Sequence, residues 1–359
     1  MTHMGCSSVA HNTGLNILGT PKSYIDDLPR VPLKALASGS GLSEQDFAAP
    51  TPYVVRGLVK DWPLVRTSQI SSEALRRYLL NFYNNQPVMV SSGPPENQGR
   101  VFYKDDMSLN IKLQKADLRG LFEQIAALEQ EDPQACLYVA ATALDAFFPG
   151  LQTENPINLG GHTAHGRIWI GTRTRIAPHN DSQSNLACVV AGRRRFLVFP
   201  PEVFRDLYLG PIDNSPAGRT ISMVDVLNPD FDKYPRFRAA LEKAKVAELE
   251  PGDALYMPPL WWHHVDGLDP FNILINYWWR HPPPQFGLPE PALDHAILAF
   301  RDLPAEERTY WRDVLDYYVF DADPQTAAHI PDGKRGVLDA MTPSRAKALR
   351  AKLMRYFQR

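Results

Sequence analysis

The sequence predicts an antiparallel all-β core carrying helices on both sides of it in the chain. Between Cys136 and Trp279, short β-branched and aromatic runs alternate with Gly, Pro and Asn turns, the texture of a sheet protein. Two amphipathic helical patterns precede that region, and three more follow the break at Pro282-Pro283-Pro284. With 359 residues, 44% of them hydrophobic, the chain can fill one large domain with appendages or two ordinary ones.

Taken in order, residues 1–22 are polar and without periodicity, which predicts a flexible lead-in. The run PYVVRGLV predicts a strand from Tyr53 to Val59, closed by the turn residues Asp61-Trp62-Pro63. Ser71 and Ser72 precede Leu75, Tyr78, Leu79 and Phe82 at helical spacing, and a second helix carries Leu118, Leu121, Phe122, Ile125 and Leu128. The core strands are LYVA, RIWIG, NLACVV, RRFLVFP, DALYMP and NILINYWW. Beyond them, Leu293, Ile297 and Phe300, then Trp311, Val314, Leu315 and Tyr318, then Leu349, Leu353 and Tyr356 mark three helices. Thr342 and Pro343 supply the N-cap and first position of the last one. No internal repeat or low-complexity block interrupts this order.

Composition narrows the function. A net charge of −2, from 38 basic and 40 acidic residues, gives no global pull toward nucleic acid or an acidic membrane. Three scattered cysteines make neither a disulfide framework nor a Cys-rich zinc site, and they fit a reducing cytoplasm. No apolar run reaches the length of a bilayer, and the first residues show neither a basic n-region nor an apolar h-region, so neither membrane insertion nor export is expected. The basic segment SRAKALRAKLMRYFQR keeps its Leu and Tyr on one stripe, the pattern of a docked helix, so a dimer contact is expected there rather than an RNA contact.

The chemistry is expected at His179 and Asp181. Two apart in a β context, both side chains point to one face and can share an ion. H-x-D alone is weak evidence and needs a third ligand. The segment EPGDALYMPPLWWHHV offers His263 and His264, of which strand alternation lets only one face the interior. Two His and one carboxylate leave three adjacent positions open on an octahedral ion. That is the arrangement of non-haem Fe(II) oxygenases, which admit a 2-oxo acid and dioxygen. Such a cosubstrate needs a buried cation for its far carboxylate. Arg193, Arg194 and Arg195 open the strand FLVFP, and alternation sends Arg194 to the face opposite its neighbours. His162 and His165 lie among glycines with no carboxylate nearby, which predicts a loop or substrate-rim position. Trp261, Trp262, Trp278 and Trp279 are expected in core and pocket wall.

The run WIGTRTRIAPHNDSQSNLACVVAGRRRFLVFPPE, followed by PGDALYMPPLWWHHV and NILINYWW, resembles the JmjC oxygenases of the cupin-8 type, with the pattern of asparaginyl hydroxylases and bacterial cupin-like relatives. The resemblance runs from about Tyr53 to Trp279. It implies a double-stranded β-helix, or jelly roll, within a catalytic domain at 23–284, and a helical dimerisation unit at 285–359. It implies iron held by His179, Asp181 and His263, with His264 behind them. Arg194 falls where the family has a lysine for the distal carboxylate of 2-oxoglutarate, and Tyr138 falls on a tyrosine that helps bind the same group. Asn185, Asn276 and Trp278 match residues that line the cosubstrate and metal pocket. Two positions depart from the pattern: arginine at 194, which keeps the charge but changes the reach, and Ile176, where a hydrogen-bonding threonine is common. The function implied is an Fe(II)- and 2-oxoglutarate-dependent hydroxylase of a protein or peptide side chain, homodimeric, acting neither on DNA nor in a membrane. A cupin enzyme using no 2-oxo acid, or a silent cupin binding module, is the alternative. The loops that choose a substrate, such as Asn214–Asp232, match nothing in the family pattern.

Overall fold

A computed structural model of the chain describes residues 24–36, 41–280, 283 and 285–358, so the expected lead-in lies outside the described residues. The strands are β1 (Tyr53–Val55), β2 (Val88–Gly93), β3 (Arg100–Val101), β4 (Lys112–Ala116), β5 (Cys136–Ala143), β6 (His165–Gly171) and β7 (Arg175–Asn180). They continue with β8 (Ser184–Ala191), β9 (Arg194–Phe199), β10 (Lys245–Leu249), β11 (Ala254–Met257), β12 (Trp262–Gly267) and β13 (Asn272–Trp279). They form an eight-stranded sheet, ordered β1-β11-β8-β13-β6-β5-β2-β4, and a five-stranded sheet, ordered β10-β9-β12-β7-β3. All pairings are antiparallel except that of β3 with β7. This is the jelly roll the sequence predicts.

Period-two alternation divides each strand between two environments. On β13, Ile273, Ile275, Tyr277 and Trp279 join a cluster on the outer face of the large sheet, while Leu274 faces a second cluster between the sheets. The outer cluster is capped by the helices Ser72–Leu80 and Leu118–Leu128, which contribute Leu75, Leu79, Leu121, Phe122 and Ile125. Both helices start where the sequence provides an acceptor: Ser71 Oγ accepts from Ala74 N at 3.0 Å, and Asp117 accepts from Arg119 N at 2.9 Å. The inter-sheet cluster takes Ile176, Phe196, Val198 and Val265 from the small sheet and Ala187, Val189, Leu255 and Met257 from the large one. A third cluster, with Leu197, Phe199, Trp262 and Phe237, covers the outer face of the small sheet.

Two local expectations need correction. The strand expected to reach Val59 ends at Val55, because Gly57 takes φ +64 and its N–H bonds Asp253 Oδ1 at 2.9 Å, turning the chain. Strands β2, β4 and β10 appear in segments where no strand is expected.

The chain divides into two compact units after Trp279. The second contains the helices Pro289–Phe300, Ala305–Leu315 and Pro343–Phe357, the last capped by Thr342 Oγ1, which accepts from Arg345 N at 3.3 Å. The first two bury none of their own residues and the third buries Ala346 alone. No helix among the described residues is long and apolar enough to cross a membrane.

Candidate metal centre

A cavity of about 450 Å³ opens between the two sheets, and His179, Asp181, His263, Arg194, Tyr138, Asn185, Asn276 and Trp278 all line it. Antiparallel pairing of β7 with β12 sets His179 directly opposite His263. Asp181 follows β7 in a turn pinned by Leu260 N–H, which donates to Asp181 O at 2.7 Å. The two imidazole centroids are 4.3 Å apart, and Asp181 Oδ2 lies 3.9 Å from His263 Nε2.

Each imidazole meets a backbone carbonyl through Nδ1: His179 with Ala177 O at 2.9 Å and His263 with Trp261 O at 3.1 Å. A carbonyl only accepts, so Nδ1 carries the proton and the Nε2 lone pair is left to ligate a cation. Burial, reinforced by the neighbouring His179, pushes the His263 imidazole down to about 4, which keeps it neutral. Among the described residues no three His, Cys, Asp or Glu side chains are already drawn into an ion cage. Adjacent donors around an ion bonded at ~2.1 Å stand roughly 3 Å apart, so the 3.9 Å separation is loose by about 1 Å. The donor set, two imidazole Nε2 atoms and one carboxylate, fits a divalent transition metal.

His264 takes the other face of β12, where its Nε2 lies 2.8 Å from Asp266 Oδ1 and both residues are buried. Burial raises the Asp266 carboxyl, but the His264 contact and the charges of Arg195 and Arg175 outweigh it and hold the group below the usual range.

Arg194 points inward with 1% of its surface exposed, while Arg193 bonds Asp269 and Arg195 pairs with Glu248 on the outside. Burial drives the Arg194 guanidinium pKa down and the Tyr138 phenol pKa up, each shift offset in part by the charge of the other group. Nε and Nη2 of Arg194 nevertheless have no partner in the protein. A guanidinium stays charged in proteins, so these two buried donors call for an anion, and a carboxylate matches their fork. Beside it, Asn276 Nδ2 donates to Asn185 Oδ1 at 3.3 Å, and the Trp278 ring stands edge-on to Trp169 at 5.9 Å.

Trp169, Gln183 and Arg219 are among the lining residues that the sequence reading does not anticipate. Trp169 had a usable signal, since it sits between Ile168 and Ile170 on an alternating strand and must face inward when they face out. Arg219 lies in a loop without periodicity, where Nη2 donates to Ser182 Oγ at 3.2 Å, one residue from Asp181. His162 is not at the cavity: it stacks on Trp279 at 5.2 Å and meets Phe47 edge-on. Ile176 lines the cavity and offers it an alkyl surface.

Residues 42–285 match the cupin-like domain family. Human HSPB1-associated protein 1 is 37% identical over 121 residues, 33% of this chain and 24% of that protein. Lysine-specific demethylase JMJ31 of Arabidopsis thaliana is 34% identical over 114 residues, 32% of this chain and 20% of the relative. Lysine-specific demethylase 8 of Xenopus tropicalis is 27% identical over 241 residues, covering 64% and 48%. The chain therefore spans between a fifth and a half of the length of these relatives. The matched span contains both sheets and every lining residue of the cavity, and on that ground the chain belongs to the cupin-like domain family, in its JmjC-like class.

Proposed function

We propose that the chain is an Fe(II)- and 2-oxoglutarate-dependent oxygenase that hydroxylates a protein or peptide side chain. The observation that carries this reading is Arg194, a buried cation with two unpaired donors in the same cavity as two imidazoles and a carboxylate. His179, Asp181 and His263 hold the iron. Arg194 and Tyr138 hold the far carboxylate of 2-oxoglutarate, and Asn185, Asn276 and Trp278 flank it. Bound together, iron and 2-oxoglutarate would supply the oxidising chemistry by which dioxygen gives one oxygen atom to a substrate C–H bond and the other to 2-oxoglutarate, which becomes succinate and carbon dioxide. The protein's share is orientation and exclusion of water. The carbonyl-bound Nδ1 atoms keep both imidazoles turned correctly, and Ile176, Phe196 and Val265 keep the floor of the cavity apolar.

Demethylation of a lysine, the activity printed in the names of two relatives, starts from the same C–H oxidation and is the second reading. Hydroxylation is preferred because Asp181 is the one acidic side chain among the described lining residues, while Arg219 adds a positive charge. A methylated ammonium finds no counter-ion there beyond a metal ligand. We further propose that the C-terminal unit joins two copies, since its helices leave Leu298, Trp311, Phe320 and Leu353 exposed.

Anaerobic titration of the purified protein with Fe(II) and 2-oxoglutarate tests the assignment, with His179→Ala alongside. The wild type is expected to give the visible charge-transfer band of a chelated 2-oxo acid, and the variant none. Metal binding without that band would remove 2-oxoglutarate and leave a different cupin enzyme or a binding module.

A further inference from the structure

We infer that Trp169 is a positioning residue that fixes the hydrogen-bond polarity of the cradle around Arg194, an inference that rests on the 2-oxoglutarate reading above. Trp169 lies on β6, Asn276 on β13 and Asn185 on β8, three adjacent strands of the large sheet. Trp169 Nε1 meets Asn276 Oδ1 at 2.8 Å, and Asn276 Nδ2 meets Asn185 Oδ1 at 3.3 Å. An indole N–H can only donate. It therefore dictates which way the Asn276 amide faces: oxygen toward Trp169, nitrogen toward Asn185. That nitrogen also donates, so Asn185 must present its oxygen in turn, which leaves the Asn185 Nδ2 donors for the cavity that the residue lines. Turning either amide around would set donor against donor between groups that are buried or half-buried, disfavoured by about tenfold.

The same indole acts on the other half of the cradle. Its ring stacks on Tyr138 with centroids 6.0 Å apart and planes 26° from parallel, and Tyr138 lines the same cavity as Arg194. One side chain thus orients both Asn185 and Tyr138. The groups left facing the cavity are then the Asn185 amide donors and the unpaired Nε and Nη2 of Arg194. A cradle of donors favours a ligand rich in acceptors, which is the chemistry of a dicarboxylate. Without the indole N–H, the Asn276 amide is free to reverse, and the cradle presents an acceptor where the ligand needs a donor.

Trp169→Phe keeps a ring over Tyr138 and removes the N–H, whereas Asn276→Asp keeps an acceptor for Trp169 and removes the donor to Asn185. Calorimetric titration of the full chain loaded with Mn(II) should show the dissociation constant for 2-oxoglutarate rising about tenfold in each variant. The double variant should be no worse than the worse single one, because both cut the same relay. Mn(II) affinity should stay at the wild-type value. In metal-free protein, the indole N–H resonance that disappears in Trp169→Phe should shift in Asn276→Asp. Unchanged 2-oxoglutarate affinity in both variants, or an unmoved indole resonance, overturns the role of Trp169. Wild-type protein that holds Mn(II) but takes up no 2-oxoglutarate overturns the oxygenase reading instead, and with it the ligand of this cradle. A variant that loses Mn(II) as well shows that Trp169 serves the fold rather than the cradle.

Discussion

A guanidinium sealed between two sheets with two donors unpaired works against the fold that contains it, because the charge has left water without a partner for those donors. Arg194→Met keeps an unbranched stem and removes the charge. It is expected to leave the melting temperature unchanged or higher while weakening 2-oxoglutarate binding about a hundredfold, and a thermal scan with a binding titration reads both. His263 gives a pH dependence with a defined sign. In metal-free protein its imidazole sits at about 4, against ~6.5 in an unfolded chain. The folded state binds fewer protons over that interval, so this contribution is complete above pH ~6.5 and is lost as the pH falls toward 4, by about 3 kcal/mol at most. His263→Gln should therefore lose less stability than wild type between pH 7 and 4, and equal slopes would remove the assignment. At this scale the sequence is informative wherever alternation decides a face. Arg194 turns in where Arg193 and Arg195 turn out, whereas Asp181 reaches the cavity beside His179 from the turn just past β7, with the help of that turn as well as of the spacing. The pairing of His179 with His263 is a different matter, since register between strands so distant in the chain comes from packing and not from local pattern.

The same limit governs the strands and turns. NILINYWW is legible because apolar side chains fill both faces of β13, one toward the helices and one toward the cavity. KLQKA is not: β4 is a largely exposed edge strand carrying two lysines, which suits an edge but hides the period. The turn from β8 to β9 shows how an element aims a side chain. Gly192 holds φ +68 there, and a Cβ on it would lie 2.6 Å from Phe271 O. Gly192→Ala is expected to destabilise the fold by about 2 kcal/mol or more, from backbone strain plus the clash. Because Arg194 begins β9 two residues later, 2-oxoglutarate affinity should fall in the same variant. Denaturant unfolding gives the first quantity and calorimetry the second. If stability drops while affinity does not, the turn supports the sheet without aiming Arg194.

Across the whole molecule, the two compact units solve the burial problem differently. The first encloses four apolar clusters around its sheets, whereas the second leaves Leu298 81% and Phe320 74% exposed. If a second copy covers that surface, the pair Leu298→Asp and Phe320→Asp should convert a dimer into a monomer in light scattering, with the melting of the first unit unchanged. A monomeric wild type would leave this surface without the partner proposed for it. The strand order also carries a consequence for synthesis. β13 is the last strand among the described residues, yet it lies in the middle of the large sheet, hydrogen-bonded to β8 on one side and β6 on the other. Until it leaves the ribosome, the nascent chain carries two open edges where its sheet should be continuous, and a chain stopped at Asp269 should aggregate through them. Slowing translation by lowering the temperature would then raise the soluble yield, because each nascent chain waits for its closing strand among fewer neighbours in the same state.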